Sequence, residues 1–318
     1  MRGTFLRGGD LAHVGRGLLM GGADIIPGVS GGTVALILGI YVRLVTAISH
    51  FDMTFVAHLR AGRWRQAAGH VDLRFLAALL SGILLGIASL ATVMSYLLQH
   101  QLTLTLAAFF GLILASSLLV ARSVPRWTGL AVLLASAGAA FAYWLVGQPF
   151  LAGTHSYSYL FFCGMVAICA MILPGISGAF ILLIMGEYQY VAGVIRSLVH
   201  GQITVSHLLT LGVFGCGCAL GLLGFSKLLR WLLARYHAET LAVLCGFMVG
   251  SLRRIWPFKQ PLDPAADIQH GQWENIWPEA FDAQVGGAIA VGLAGIALVL
   301  LLDWLTRRYG SHHGPFES

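Results

Sequence analysis

The sequence predicts an all-α polytopic membrane protein built as an inverted-topology repeat, each half a re-entrant helical hairpin plus three transmembrane helices. Three observations carry that expectation. Of 318 residues, 58% are hydrophobic and only 10% charged, with a mean hydropathy of +0.81; a soluble domain carries roughly 25% charged residues. A polar, glycine-rich stretch, Gly22-Ala23-Asp24-Ile25-Ile26-Pro27-Gly28-Val29-Ser30-Gly31-Gly32-Thr33, returns in a second copy 147 residues later. Finally, the basic residues sort to one side of the membrane only if both copies turn back within it.

The duplication is read residue by residue. Residues 23–41 and 170–188 share ten identities in nineteen positions, among them Pro27/Pro174, Gly28/Gly175, Ser30/Ser177, Gly31/Gly178, Gly39/Gly186 and Tyr41/Tyr188. A second set of matches shares an offset of 135: Gly82 and Gly86 align with Gly217 and Gly221, and Thr105-Leu106-Ala107 aligns with Thr240-Leu241-Ala242.

In chain order, the first repeat is 1–147, with a hairpin at about 11–48 and spans at about 75–98, 104–121 and 128–147. The second is 158–305, with a hairpin at about 158–198 and spans at about 208–233, 236–255 and 285–305. The apolar windows within these spans run about 18 to 24 residues, enough for about 30 Å of hydrocarbon at 1.5 Å per residue. The window 240–252 is shorter and ends against Arg253-Arg254. At the N-terminus, the apolar run 18–20 is too short for a signal-peptide core; neither a cleaved leader nor an appended soluble domain is expected.

Cytoplasmic loops carry the excess of Lys and Arg, and this decides between a hairpin and a single crossing for each motif region. With hairpins and a cytoplasmic N-terminus, fifteen of the nineteen basic residues fall inside, and only Arg196, Arg253, Arg254 and Lys259 fall outside. With single crossings the split becomes eight inside and eleven outside, which is no bias. Each half then crosses an odd number of times, so the second half must be inserted upside down. Both termini are expected in the cytoplasm. The pairs Gly82/Gly86, Gly217/Gly221 and Gly246/Gly250 would let helices approach closely. Residues 256–284 form an outer-side loop rich in acidic residues and tryptophan, a bilayer-surface lid or a tryptophan-anchored connection. The inner loop 49–74, basic and carrying His50, His58 and His70, is placed on anionic headgroups.

Little in the composition points to redox or metal chemistry. The five cysteines all lie in apolar windows, and Cys216-Gly217-Cys218 has no His or acidic neighbour in sequence. They read as small packing residues. No cofactor, metal site or catalytic residue is expected, and no nucleic-acid partner.

The chemistry is expected at the two breaks. Pro removes a donor and starts a new half-helix, and the glycines after it permit close backbone approach. Helix N-termini with unpaired N–H groups attract anions, and in hydrocarbon each such group must find a partner. Gly28, Ser30, Gly31, Gly32 and Thr33, with Gly175, Ser177 and Gly178, therefore form candidate phosphate or carboxylate cradles. The alternative is that the serines only cap their helices and the two tips satisfy each other. Asp24 is the one acidic residue in the first hairpin, and Met171 takes its place in the second. It could bind a proton or sodium ion during transport, or cap backbone N–H groups; both readings are open. Arg253 and Arg254 follow thirteen uncharged residues, and their first-repeat counterparts are Leu118 and Leu119. Arginine grips phosphate through paired hydrogen bonds, so they join the site as phosphate ligands. Glu187 sits late in its half-helix and is expected to be solvated.

Three stretches carry a resemblance. They are Gly21-Gly22-Ala23-Asp24-Ile25-Ile26-Pro27-Gly28-Val29-Ser30-Gly31-Gly32-Thr33 with Leu38-Gly39-Ile40-Tyr41; Leu173-Pro174-Gly175-Ile176-Ser177-Gly178; and Gly250-Ser251-Leu252-Arg253-Arg254-Ile255-Trp256-Pro257. Together they closely resemble the PopT family of bacterial polyprenyl-phosphate transporters, over essentially the whole chain. The resemblance implies a flippase in the cytoplasmic membrane that returns undecaprenyl phosphate from the outer to the inner leaflet. Val42 departs from the family, where an acidic residue often follows the Gly-x-Tyr. Two other readings stay open. Undecaprenyl-pyrophosphate phosphatases share inverted hairpins and a Pro-Gly-x-Ser-Arg-Ser stretch, but the arginine is absent from both copies here. A small-anion channel or transporter would use the same helix ends.

Overall fold

The computed structural model describes residues 8–25, 30–261 and 273–309. The chain opens with α1 (Gly8–Asp24), followed after the first proline-glycine break by α2 (Gly31–Ile37) and α3 (Tyr41–Ser49). Two short helices come next, α4 (Met53–Arg60) and α5 (Trp64–His70). Then come the long α6 (Leu73–His100), α7 (Leu102–Ser123) and α8 (Gly129–Leu145). The order recurs in the second half without counterparts of α4 and α5: α9 (Tyr157–Ile172), α10 (Gly178–Ile184), α11 (Tyr188–Val199), α12 (Val205–Arg235), α13 (His237–Ser251) and α14 (Ala283–Tyr309).

Among the described residues, α6, α7, α12 and the 283–301 part of α14 are long and apolar enough to cross a membrane. Their exposed faces are leucine-rich, as with Leu80, Leu84 and Leu85 on α6, which suits a helix surrounded by hydrocarbon. At 17 and 15 residues, α8 and α13 are shorter. α13 is extended by i→i−3 turns, in which Arg254 N donates to Ser251 O at 2.8 Å and Ile255 N to Leu252 O at 3.2 Å.

Each motif region turns out to hold three helices, where a pair was expected. Beyond α1 and α9 each region bends: α2 and α3 meet at 120°, and α10 and α11 at 115°. The residue at each bend is the glycine of Gly-x-Tyr, Gly39 at φ 67° and Gly186 at φ 75°. L side chains rarely adopt that left-handed region, so the shared glycine is the physical reason that both arms bend at the same place.

The halves interlock. α1 packs on α6 and α9 on α12, each within its own half, while α8 packs on α13 and α7 on α14, across the two. The glycine pairs sit in these seams. A Cβ at Gly82 would strike the carbonyl of Val14 on α1, and one at Gly246 the carbonyl of Ala135 on α8. Small residues let backbones meet where lipid gives helices no hydrophobic reason to associate. The central core joins Tyr41, Phe75, Leu241, Leu244, Met248 and Ile255, drawn from both halves and nearly or fully buried.

Between α13 and α14 the described residues form a small ribbon. Strands β1 (Lys259–Pro261) and β2 (Trp273–Asn275) pair antiparallel, with Gln260 opposite Glu274. This small ribbon departs from an all-helical expectation, and it forms one wall of the site.

Candidate functional site

The first break is tightly closed. Ser30 caps α2: its Oγ accepts from Gly32 N at 3.1 Å, and its carbonyl accepts from Thr33 N at 2.9 Å. Gly31 N donates to Asp24 Oδ1 at 2.6 Å. The anion at the start of α2 is therefore the chain's own carboxylate. Gly28 lies outside the described residues.

The second break meets the first directly. Ser30 Oγ faces the carbonyls of Met171 at 3.2 Å and Leu173 at 3.4 Å, and Tyr41 Oη donates to the Ile172 carbonyl at 3.1 Å. In return Gly175 N donates to Thr33 Oγ1 at 2.8 Å. A Cβ on Gly32 would come within 2.7 Å of the Ile172 carbonyl, so glycine there permits the approach. Ser30, Tyr41, Thr33 and Gly175 thus hold the tips together, while Gly31 is engaged with Asp24 of its own half. Gly178 packs against the Ala167 carbonyl of α9.

Ser177 differs from Ser30. It caps α10 through its backbone alone, and its hydroxyl makes no capping hydrogen bond. The tip to which it belongs rests on the end of α13, where Ser251 Oγ and the Phe247 carbonyl crowd Gly175.

At that end lies a cavity of about 490 Å³, lined by Tyr143, Gln148, Phe180, Arg253, Arg254, Lys259 and Glu274, among others. Three cations converge there. Arg253 Nη1 donates to the Tyr143 carbonyl at 2.9 Å, and its guanidinium lies 4.4 Å from the centre of the Tyr143 ring. Arg254 lies 4.4 Å over the ring of Phe180, in the first turn of α10. Both sit just past the last turn of α13, where a helix favours positive charge. Lys259 Nζ donates to Asn275 Oδ1 at 2.6 Å, and Asn275 Nδ2 donates to the Arg253 carbonyl at 2.8 Å. The ribbon thereby holds the lysine beside the arginine pair. Burial first, and then the charges of Arg254 and Arg253, push the Lys259 ammonium down to about 7.

Of the residues singled out in the sequence, Arg253 and Arg254 thus meet around one cavity, and Ser30, Gly31, Gly32, Thr33 and Gly175 meet around the tips. Asp24 stands at the first tip. Phe180 links the groups, being both the seat of Arg254 and part of the second half-helix. Sequence reasoning missed Lys259, although its position among the few outside cations, six residues past Arg253, was a signal. It was also wrong about Glu187. That side chain is fully buried, not solvated, because Glu187 occupies the bend at Gly186 and its carboxylate turns inward to His155.

A concave site with three cations, aromatic walls and few acidic groups is built for an anion. The family model described as VCA0040-like, undecaprenyl phosphate translocase-like, matches residues 20–272. The chain belongs to this family. A polyprenyl-phosphate transporter of Vibrio cholerae is 38% identical over 298 residues, covering 91% of this chain and 94% of the relative. A polyprenyl-phosphate transporter of Staphylococcus aureus is 32% identical over 255 residues, covering 76% and 84%. No solved structure matches. The translocase-like match takes in both breaks, the arginine pair and Lys259.

Proposed function

We propose that this chain is a polyprenyl-phosphate transporter of the bacterial cytoplasmic membrane, returning undecaprenyl phosphate from the outer to the inner leaflet. The observation that carries this reading is the convergence of Arg253, Arg254 and Lys259 on a cavity floored by Phe180 of the second break. Guanidinium groups bind a phosphate monoester through paired, charge-assisted hydrogen bonds. The basic-residue count assigns this cavity to the outer face, where the headgroup would enter while the polyprenyl tail stays in lipid.

Ser177, Gly178 and the tip residues Gly175, Gly28, Ser30, Gly31, Gly32 and Thr33 then receive the phosphate as the tips part. In the present conformation the tip-to-tip hydrogen bonds act as the closed barrier. The recurring order of elements, with matched bends at Gly39 and Gly186, supports an inverted repeat. Alternating access between two such halves would carry a headgroup past mid-membrane. In this scheme a proton or sodium gradient drives transport, with Asp24 as the coupling carboxylate. The chemistry is binding and movement, not hydrolysis; the family and the relatives are named for transport.

The test uses purified protein in liposomes containing undecaprenyl phosphate. Headgroup accessibility from the opposite leaflet is followed, with phosphate release from undecaprenyl pyrophosphate assayed in parallel. Translocation without hydrolysis, weakened by Arg253→Ala or Ser177→Ala, is expected. Phosphate release without translocation would mean an enzyme.

A further inference from the structure

The segment between the two halves runs from the cationic cavity to the second bend and is held at both ends. Gln148, Pro149 and Phe150 line the cavity, and Phe150 meets Phe180 edge-to-face at 6.4 Å between ring centres. Leu151 N then donates to the Ile184 carbonyl at 2.7 Å, closing the strap onto the end of α10. Gly153 passes so close to the Gly186 carbonyl that a Cβ would come within 2.5 Å of it. The strap ends on His155, in the left-handed region at φ 54°.

His155 is fixed there by one carboxylate. Its backbone N–H donates to Glu187 Oε1 at 2.8 Å, and Nδ1 lies 2.8 Å from Glu187 Oε2. The carboxylate is fully buried, while the imidazole is half exposed. A buried carboxylate holds its charge only with such partners. Among the described residues both of its hydrogen bonds come from His155, which itself reaches water. Histidine in general changes charge across the physiological pH range. The other titratable groups near Glu187 are Tyr159 and Cys163 of α9; the Tyr159 hydroxyl donates to the Met185 carbonyl at 2.9 Å. Tyr190 stacks on His155 at 4.4 Å, and its hydroxyl lies 3.4 Å from Thr210 Oγ1 of α12.

We infer that Glu187 and His155 form a proton-operated latch on the 148–155 strap, through which proton uptake loosens one wall of the cationic cavity. This rests on the transport reading above. The relay balances: His155 takes a proton from water at Nε2, and the Nδ1 proton passes to Glu187 Oε2. That leaves a neutral imidazole and a neutral acid. Glu187 then no longer holds His155 by charge, and only neutral hydrogen bonds and the Tyr190 ring stack offset the left-handed backbone there. The strap relaxes, and with it Phe150 against Phe180, the ring that carries Arg254. Because the linkage is reciprocal, a phosphate that spreads this wall favours proton uptake at Glu187.

The residue is the counterpart of Ile40 in the first half, which is buried and apolar. The latch therefore belongs to one half alone, as a device coupling a single proton to a single headgroup would.

The experiment compares wild type, Glu187→Gln and His155→Gln in liposomes containing undecaprenyl phosphate, with translocation followed between about pH 5.5 and 8.5. In parallel, affinity for farnesyl phosphate is measured in detergent over the same range. Wild type is expected to respond to pH, and each variant to lose at least about fivefold of that response. Lys259 titrates in all three, so the difference from wild type isolates the latch. Thermal melting confirms that each variant folds, and the half-exposed His155 position keeps the test open if Glu187→Gln does not. Folded variants that keep the wild-type slope in both assays overturn the latch and leave transport standing. A wild type that binds the probe but moves no lipid sinks the transport reading, and the affinity slopes then decide the latch alone.

Discussion

The hydroxyl of Thr33 accepts the backbone N–H of Gly175 at 2.8 Å, and through this contact the two broken helices are joined at their tips. Thr33 aligns with Phe180 of the other half, so one repeat position serves two purposes. In the first half it joins the two tips; in the second it seats Arg254 beside the cavity. Thr33 is fully buried, and Thr33→Val keeps its shape while leaving the Gly175 N–H without its partner. That should cost about 1–3 kcal/mol, read as a lower melting temperature in detergent. Thr33→Ser should restore it. If Val melts like wild type, the tip contact contributes nothing to the stability of the fold.

The arginine pair should differ from lysine in kind. Arg253 uses its planar guanidinium twice, on the Tyr143 ring and on the Tyr143 carbonyl, and lysine cannot reproduce a stacked fork. Arg253→Lys and Arg254→Lys should each weaken farnesyl phosphate binding by about tenfold, since hydrogen bonds to charged groups are worth about 1.5–3 kcal/mol. Isothermal titration at constant pH measures this. Lysine variants that bind like wild type would show that simple positive charge suffices and that the fork geometry is idle.

Much of this architecture was legible in the sequence, and the reasons are specific. The windows that become α6, α7, α12 and α14 are readable because hydrocarbon demands long uncharged runs. The two breaks are readable because Pro-Gly-x-Ser-Gly occurs twice. Gly82 and Gly246 fall in helix seams, as their spacing suggests. What escaped depends on contacts between distant residues. The Gly-x-Tyr repeat was visible, but a left-handed bend at Gly39 or Gly186 is a backbone conformation that helical periodicity does not report. Glu187 looked solvated because its partner, His155, lies 32 residues away in an irregular segment. Lys259 became part of the site only through a pairing of three-residue strands too short to leave an alternating pattern.

Asp24 separates two roles in one substitution. Its carboxylate accepts from Gly31 N at 2.6 Å, and the Oδ1 of asparagine could accept the same bond. Asp24→Asn therefore keeps the cap and removes the charge. If Asp24 couples transport to an ion, the variant should fold and bind farnesyl phosphate normally, yet move lipid at a rate indifferent to imposed proton and sodium gradients. Translocation that still follows the gradients as wild type does would reduce Asp24 to a cap.

Lys259 makes the affinity of the cavity depend on pH in a stated direction. Its ammonium is pushed down to about 7 by burial and by the neighbouring arginines. It is charged below that value and neutral above it. The second ionisation of a phosphate monoester lies near pH 6, so the ligand gains its second charge just as the lysine begins to lose its own. Affinity for farnesyl phosphate should therefore rise towards about pH 6–7 and fall beyond it, by roughly fivefold for an interaction of about 1 kcal/mol. A bound phosphate offsets the two arginine charges and moves the falling limb upward. Lys259→Gln can still hydrogen-bond but carries no charge. It should bind more weakly than wild type near neutral pH and equally well at about pH 9–10, where the wild-type lysine is itself neutral. If the falling limb survives in Lys259→Gln, the lysine is not the group that sets it, and its place beside the arginine pair serves only to hold the ribbon.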